Sequence, residues 1–289
     1  MQINRVVEAN DWRSFLNDLN ELRVRVGKSP LLFRGQGDSS WPLTTTLERN
    51  GAGGISFDEY NSVICARVGP QVKAFAQMEV PDYNFYDSRK TFGDYELFAP
   101  HKQFPIPLYR YMVYLRHHGF PSPLLDWSRS PFVAAFFAFR ENSNVRKRSI
   151  FAYCEMPEGS KGGLVGGLSI HTFGPYVAAH HRHFRQQCQY SVCGEFNKRY
   201  EQWYFGSHQD VFKQNHPRQD YLWKFNIPSS ERTAVLKMLE EYNLNAFSLF
   251  NSDETLMEAM WVKEFVLKPP MFLKQSPRSK KVQKKRLDC

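Results

Sequence analysis

The sequence is short of long apolar runs. Its longest, Phe132–Phe139 (FVAAFFAF), falls far below the roughly 20 residues that a bilayer-crossing helix needs. The opening MQINRVVEANDW lacks the apolar stretch of a secretory signal. The five cysteines, at 65, 154, 188, 193 and 289, are odd in number and scattered, which fits reduced thiols rather than a disulfide framework. These absences lead us to expect a cytoplasmic protein with no membrane partner. No repeat period or heptad run is present, which excludes a solenoid or coiled coil. G-x-x-x-x-G-K-[ST], a strand-linked G-x-G-x-x-G, H-E-x-x-H, C-x-x-C and G-x-S-x-G are all missing, and with them the usual signatures of P-loop, Rossmann, zinc and serine-hydrolase chemistry.

What is present is globular in composition, with 42% apolar residues and 44 aromatics. The formal charge is +9, from 38 basic and 29 acidic side chains. Residues 274–289 contribute +6 of it, with seven Lys/Arg and one Asp. The basicity is therefore mainly a property of the tail, which reads as disordered and suited to non-specific phosphate attraction.

Apolar spacing predicts a helix over Asn10–Arg25, capped by Asn10 or Asp11 and stopped near Gly27. Leu31–Phe33 reads as a buried strand. A helical stretch is expected around Glu59–Met78, and another ending at His117-His118-Gly119. Leu124–Ser128 reads as a second strand, after which Ser130-Pro131 opens an apolar helix, Phe132–Arg140. Further strands are expected at Ser149–Cys154, at the end of Arg182–Val192 and at Tyr221–Ile227. Helices are expected from Ser230 to Tyr242 and over Asp253–Phe265, the latter with Leu256, Met257, Met260 and Trp261 on one face. Gly51–Gly54 and residues 159–167 read as loops. The result is an α+β class with segregated short strands and helices and no regular βαβ alternation. The expected domains are an N-terminal helix packed on the domain (1–29), a main domain (30–270) and a basic tail (271–289).

Three segments join strand-like sequence to polar groups that a core disfavours. In Phe33-Arg34-Gly35-Gln36, an arginine ending a buried run needs an acidic or phosphate partner, and the glycine lets a ligand approach the backbone. A structural Arg–carboxylate pair would satisfy the same arginine. The stretch His117–Ser128 gathers two imidazoles, the Asp126 carboxylate, the Trp127 indole and the Ser128 hydroxyl. Asp126 there also suits a partner for Arg34, and Trp127 suits core filling. In Arg182–Ser191, two arginines and three glutamines suit recognition of planar, polar or phosphate groups, and a hydrated edge strand equally. A metal site from His180, His181, His183 and Cys188 is awkward, because adjacent strand residues face opposite ways.

Together these segments resemble the FRG-domain family. The resemblance rests on Phe33-Arg34-Gly35 with Gln36, on His118-Gly119 and Pro123–Ser128, on Ala134–Ala138, and on Arg182-His183-Phe184, Gln187 and Gln189-Tyr190-Ser191. Members of this family are often components of bacterial mobile elements and antiphage defence. The order of motifs is also similar to a divergent ADP-ribosyltransferase, which implies a compact domain with a split, short-stranded sheet core and flanking helices. Arg34 then matches the arginine ending the first core strand, and Ser128 matches the hydroxyl on the second. Gln189 stands where a catalytic glutamate is expected, so Asp126, Glu195, Glu258 or Glu264 would have to assist. The resemblance implies NAD as substrate and no metal, with nucleic acid as acceptor and an antitoxin or chaperone as restraining partner. Arg34, Gly35, Gln36, His118, Trp127 and Tyr190 would bind NAD. Arg34, Ser128, Gln187, Gln189 and Asp126 would serve catalysis. The alternative is a non-catalytic nucleotide- or nucleic-acid-binding module. A metal-dependent nuclease is a third reading, weakened by the lack of paired carboxylates at ligand spacing.

Overall fold

The Asp11 carboxylate accepts a hydrogen bond from the Ser14 amide at 2.7 Å and starts a helix whose stripe of Phe15, Leu19 and Leu22 is fully buried. Ser130 does the same for the Val133 amide at 3.3 Å, with Pro131 at the first helical position. These local signals set the frame. The computed structural model describes residues 4–82, 106–157, 159, 166–174, 181–214 and 220–268. The expected tail, His180 and most of the 159–167 loop lie outside them.

The chain begins with β1 (Asn4–Glu8), α1 (Trp12–Val26), β2 (Leu32–Gln36) and α2 (Thr46–Arg49). α3 (Phe57–Ser62) runs through a π-helical turn, Val63–Val68, into α4 (Gly69–Ala76). Then come α5 (Ile106–His117), β3 (Leu125–Ser128), α6 (Pro131–Phe139), β4 (Lys147–Cys154) and β5 (Ser169–Phe173). α7 (His181–Arg185), β6 (Cys188–Asn197), β7 (Gln202–Phe205), α8 (His208–Gln214) and β8 (Tyr221–Pro228) follow. The last part is α9 (Arg232–Glu241), α10 (Ala246–Phe250) and α11 (Asp253–Trp261), which continues as a π-helical turn over Val262–Leu267.

The described strands form one mixed sheet in the order β1-β8-β4-β2-β3-β6-β5, with β7 paired to β6. β1 and β8 are parallel, and the other listed neighbours are antiparallel. Along β4, Ile150, Ala152 and Cys154 join a core cluster with α1, α6 and α9, while Phe151 and Tyr153 join one on the opposite face with Trp127 and Phe212. A third cluster packs Tyr60, Tyr111 and Met112 against Cys188, Tyr190 and Val192 of β6. This alternation is the period of two that a doubly covered strand requires. No helix among the described residues is long and apolar enough to cross a membrane.

The sheet is pinched at one place. β2 and β3 are antiparallel neighbours, but their register contains one pair, Phe33 with Ser128. Beyond it the strands diverge, and α6 lies across β2. Gly35 makes that crossing possible, because a Cβ there would sit 1.9 Å from the Ala134 carbonyl oxygen and 2.7 Å from the Ala138 nitrogen. The space beside Gly35 is thus taken by a helix backbone, where the sequence reading had assigned it to a ligand.

Other expectations shift. The N-terminal segment contributes a sheet strand, β1, as well as its helix. Ser230 lies in a short 3-10 turn, Ser229–Glu231, and α9 starts after it without a side-chain cap. The expected inward face of the last helix is turned out: Met257, Met260 and Trp261 are exposed and Thr255 is its buried residue. Segregated strands and helices give way to a mixed α/β arrangement around a single sheet.

Candidate functional site

A cleft of about 760 Å³ opens where β2 and β3 part, between α5 and α6. That is within the range of roughly 300–1,000 Å³ for small-molecule sites. Arg34, Gln36, Asp126 and Ser128 line it from the sheet, Arg116 and His117 from α5, and Ala134 and Phe137 from α6. Arg49, Arg182 and the rings of Trp41 and Phe250 complete its charged and aromatic wall. Among the described lining residues, four arginines face two carboxylates, Asp126 and Glu141.

Asp126 and Arg116 are the anchor. Arg116 Nε donates to Asp126 Oδ1 at 2.9 Å and Nη2 donates to Oδ2 at 2.5 Å, a two-pronged pairing. Arg116 Nη1 also donates to Thr46 Oγ1 at 2.6 Å. Burial alone would raise the Asp126 carboxyl, but Arg116, with Arg34 and His117 behind it, holds it below the ordinary carboxylate range. Asp126 is therefore an ionised structural partner as much as a cleft wall.

Arg34 lies beside this pair. Its Nη1 donates to the Asp126 backbone oxygen at 2.9 Å, while its Nε, shut from solvent, has no hydrogen-bond partner. Burial pushes its guanidinium down to about 10, and the Asp126 charge opposes this while Arg116 and Arg49 add repulsion. It remains protonated at neutral pH. A desolvated cation with an orphaned donor and like-charged neighbours favours an incoming anion. Gln36 adds a second orphan: its Nε2 donates to the Pro42 carbonyl at 3.2 Å, and its buried Oε1 has no partner.

The other expected residues divide. Ser128 reaches the cleft, but its hydroxyl donates to the Gln186 carbonyl at 2.8 Å and accepts from the Ser130 amide at 3.0 Å, tying β3 to the turn before β6. Trp127 touches the cleft, while its indole stacks on Tyr153 and donates to Ser191 Oγ at 2.8 Å, deep in the core. His118 is exposed and stacked on Tyr114, outside the lining. The neighbouring His117 takes the wall position. Tyr190 is fully buried behind that wall and bonded to His117, with no face open for stacking on a ligand.

Gln187 is an exposed turn residue with a φ of +49°, and its carbonyl accepts from the Arg129 amide. Gln189 belongs to the opposite face of β6 and lines a shallow hollow with Ser29, Leu32, Glu155 and Thr172. Strand parity decides this: Cys188 and Tyr190 turn one way, so Gln189 turns the other. Gln186 is the glutamine of the cleft, with its Nε2 donating to the Leu249 carbonyl at 3.3 Å. Cys188 also lines the cleft, but burial pushes its thiol up to about 12, so it is no thiolate nucleophile at neutral pH. Of the assisting carboxylates, Glu258 pairs with Arg140 away from the cleft, and Glu195 and Glu264 are exposed elsewhere.

Arg49, Arg116, His117, Arg182 and Gln186 were not singled out as individual site residues by sequence. Arg116 stood on a helix ten residues before Asp126, and no local pattern marks such a pair. His117 was separable from His118 by helix phase. Leu108, Met112 and Leu115 set the buried side, with His118 one step farther round.

Residues 29–147 match the family model of the FRG domain. The matched stretch contains β2, α5, β3 and α6, and thus Arg34, Arg49, Arg116, His117 and Asp126. α7 and β6, which bring Arg182 and Cys188, follow it. No curated protein and no solved structure matches the chain. The split-sheet cleft is therefore framed by the residues that give the chain its family: it carries an FRG domain over residues 29–147.

Proposed function

We propose that the cleft binds NAD and that the protein is an ADP-ribosyltransferase-like effector acting on nucleic acid. The observation that carries this reading is Arg34, a buried guanidinium with an unpartnered Nε among three further arginines. A pyrophosphate supplies the charge and acceptor oxygens that this group lacks. The orphaned Gln36 Oε1 suits a ribose hydroxyl or the carboxamide N–H of nicotinamide. Trp41, Phe137 and Phe250 offer apolar faces for the rings.

The transfer breaks the bond between ribose C1′ and nicotinamide, and its electron pair leaves on the nicotinamide nitrogen. Positive charge develops on the sugar, as in glycoside hydrolysis. A nucleophile of the acceptor then bonds to C1′ and gives up its proton. The carboxylates of Asp126 and Glu141 are available to stabilise that charge. A role as a defence toxin, and a restraining antitoxin or chaperone, rest on the family resemblance. The test is incubation with labelled NAD and purified RNA, DNA and protein. Label should appear on nucleic acid and vanish with Arg34→Ala. Equal labelling by both proteins refutes the assignment.

A second reading is a nucleotide-binding module without turnover. It is favoured by the pairing of Asp126 to Arg116 and by Gln189 lying on the opposite face of β6. NAD binding without release of nicotinamide would select it.

A further inference from the structure

His117 ends α5 beside Arg116 and lines the cleft. Its Nε2 lies 2.8 Å from the Tyr190 hydroxyl oxygen. The same oxygen lies 3.3 Å from Nδ1 of His183, on α7. The His117 ring stands edge-on to Tyr190, at 84°, and the His183 ring lies nearly parallel to it, at 15°. Tyr190 and His183 are both closed to water. Three proton-carrying groups thus run in a line from the cleft wall into the core.

A phenol hydroxyl holds one proton and faces two imidazole nitrogens here. It donates to one and must accept from the other. When it donates to His183 Nδ1, it accepts from His117 Nε2–H, and His117 then carries its lone pair on Nδ1. The opposite order leaves the proton on Nδ1. The buried pair therefore governs which nitrogen of the cleft histidine is basic. This is the positioning role that a partner on the far ring nitrogen commonly has.

We propose that His117 is the proton-accepting residue of the cleft, and that Tyr190 and His183 are positioning residues that hold it in the Nε2–H tautomer. The proposal rests on the transfer reading above. The acceptor's oxygen or nitrogen forms its bond to C1′ as the bond to nicotinamide breaks with its electron pair on the nicotinamide nitrogen. The acceptor's proton passes to His117 Nδ1, which becomes an imidazolium beside the Asp126 carboxylate. Atoms and charge balance, because the nicotinamide leaves neutral. The other lining groups suit this task less. The arginines hold no lone pair, Asp126 is paired, Cys188 is a buried thiol, and Glu141 is exposed at the rim. The charged and titratable groups around the imidazole are Arg116 and Asp126 on one side, Tyr190 and Cys188 from β6, and His183 behind. Tyr114 and His118 share its helix.

The experiment has two arms on the full chain. The first is NMR of ¹⁵N-histidine-labelled protein without NAD. His117 should show the Nε2–H tautomer in the wild type and a mixed tautomer in Tyr190→Phe. A wild-type Nδ1–H tautomer, or one unchanged by Tyr190→Phe, overturns the proposal. The second arm follows nicotinamide release against pH. His117→Gln should lower turnover by about 100-fold, within the range of a lost general base. It should abolish the rise of rate with pH while changing NAD affinity by less than about 3-fold. Tyr190→Phe should lower kcat by about 10-fold at constant KM. His183→Gln, which keeps an acceptor for the Tyr190 hydroxyl, should recover more activity than His183→Leu. Full turnover in a folded His117→Gln protein overturns the proposal alone. NAD binding by the wild type without turnover overturns the transfer reading, and the proposal falls with it.

Discussion

Replacing Gly35 with alanine tests the packing that creates the cleft. The new Cβ would lie 1.9 Å from the Ala134 carbonyl oxygen, where ordinary contact begins at 3.4 Å. The shortfall is about 1.5 Å. The obstacle is helix backbone, so a rotamer change cannot absorb it, and α6 must lift from β2 as a unit. Overpacking of a core costs about 1–3 kcal/mol, and a backbone obstacle belongs at the upper end. About 3 kcal/mol corresponds to a fall in Tm of roughly 6–12 °C at the 2–4 °C per kcal/mol of mid-sized domains. The assay is thermal unfolding by circular dichroism, paired with an NAD titration, since lifting α6 also displaces Phe137 and Ala134 from the cleft wall. A Gly35→Ala protein whose Tm stays within about 2 °C of the wild type would refute the account of why a glycine follows Arg34.

Two further predictions concern neighbouring residues. Because Asp126 is held below its ordinary pKa in the fold, it stabilises the protein above its unfolded value, about 3.9, and that contribution is lost as pH falls through the folded value. Asp126→Asn should therefore be less stable than the wild type by about 2–3 kcal/mol at pH 7, below the figure for a fully buried pair because Asp126 faces the cleft. Urea unfolding should show the gap closing below about pH 4, and a gap independent of pH would contradict the ion pair. Gln189→Ala should leave NAD affinity within about 2-fold, whereas Gln186→Ala should weaken it by several-fold. Calorimetric titration of both proteins checks this, and the reverse order would contradict the strand parity of β6.

The elements that were legible in sequence carry their signals locally. α1 has Asp11 and a buried stripe, and α6 has Ser130-Pro131 and a run of apolar residues. β2 and β3 are short apolar runs bounded by glycine or proline. β1 was missed because Val7 is its sole buried residue and its pairing partner, β8, lies more than 200 residues away. The exposed face of α11 was misread because helical spacing reports an apolar stripe without reporting whether anything covers it. At the site, Arg34 was legible as a charge stranded at the end of a buried strand. The Arg116–Asp126 pair was not, because sequence reading offered Arg34 as the obvious partner for Asp126. In the structure Arg34 bonds the Asp126 backbone and leaves its carboxylate to Arg116. Gln189 failed on parity: one position along a strand changes the face of the sheet.

The central claim is that Arg34 waits for a phosphate. Calorimetric titration of NAD into the wild type and into Arg34→Ala tests it most directly, with a Tm measured on both proteins to confirm the fold. A charged hydrogen bond is worth about 1.5–3 kcal/mol, so the folded variant should bind roughly 10- to 150-fold more weakly. Equal affinity in the two proteins, or no binding by the wild type, would contradict the account.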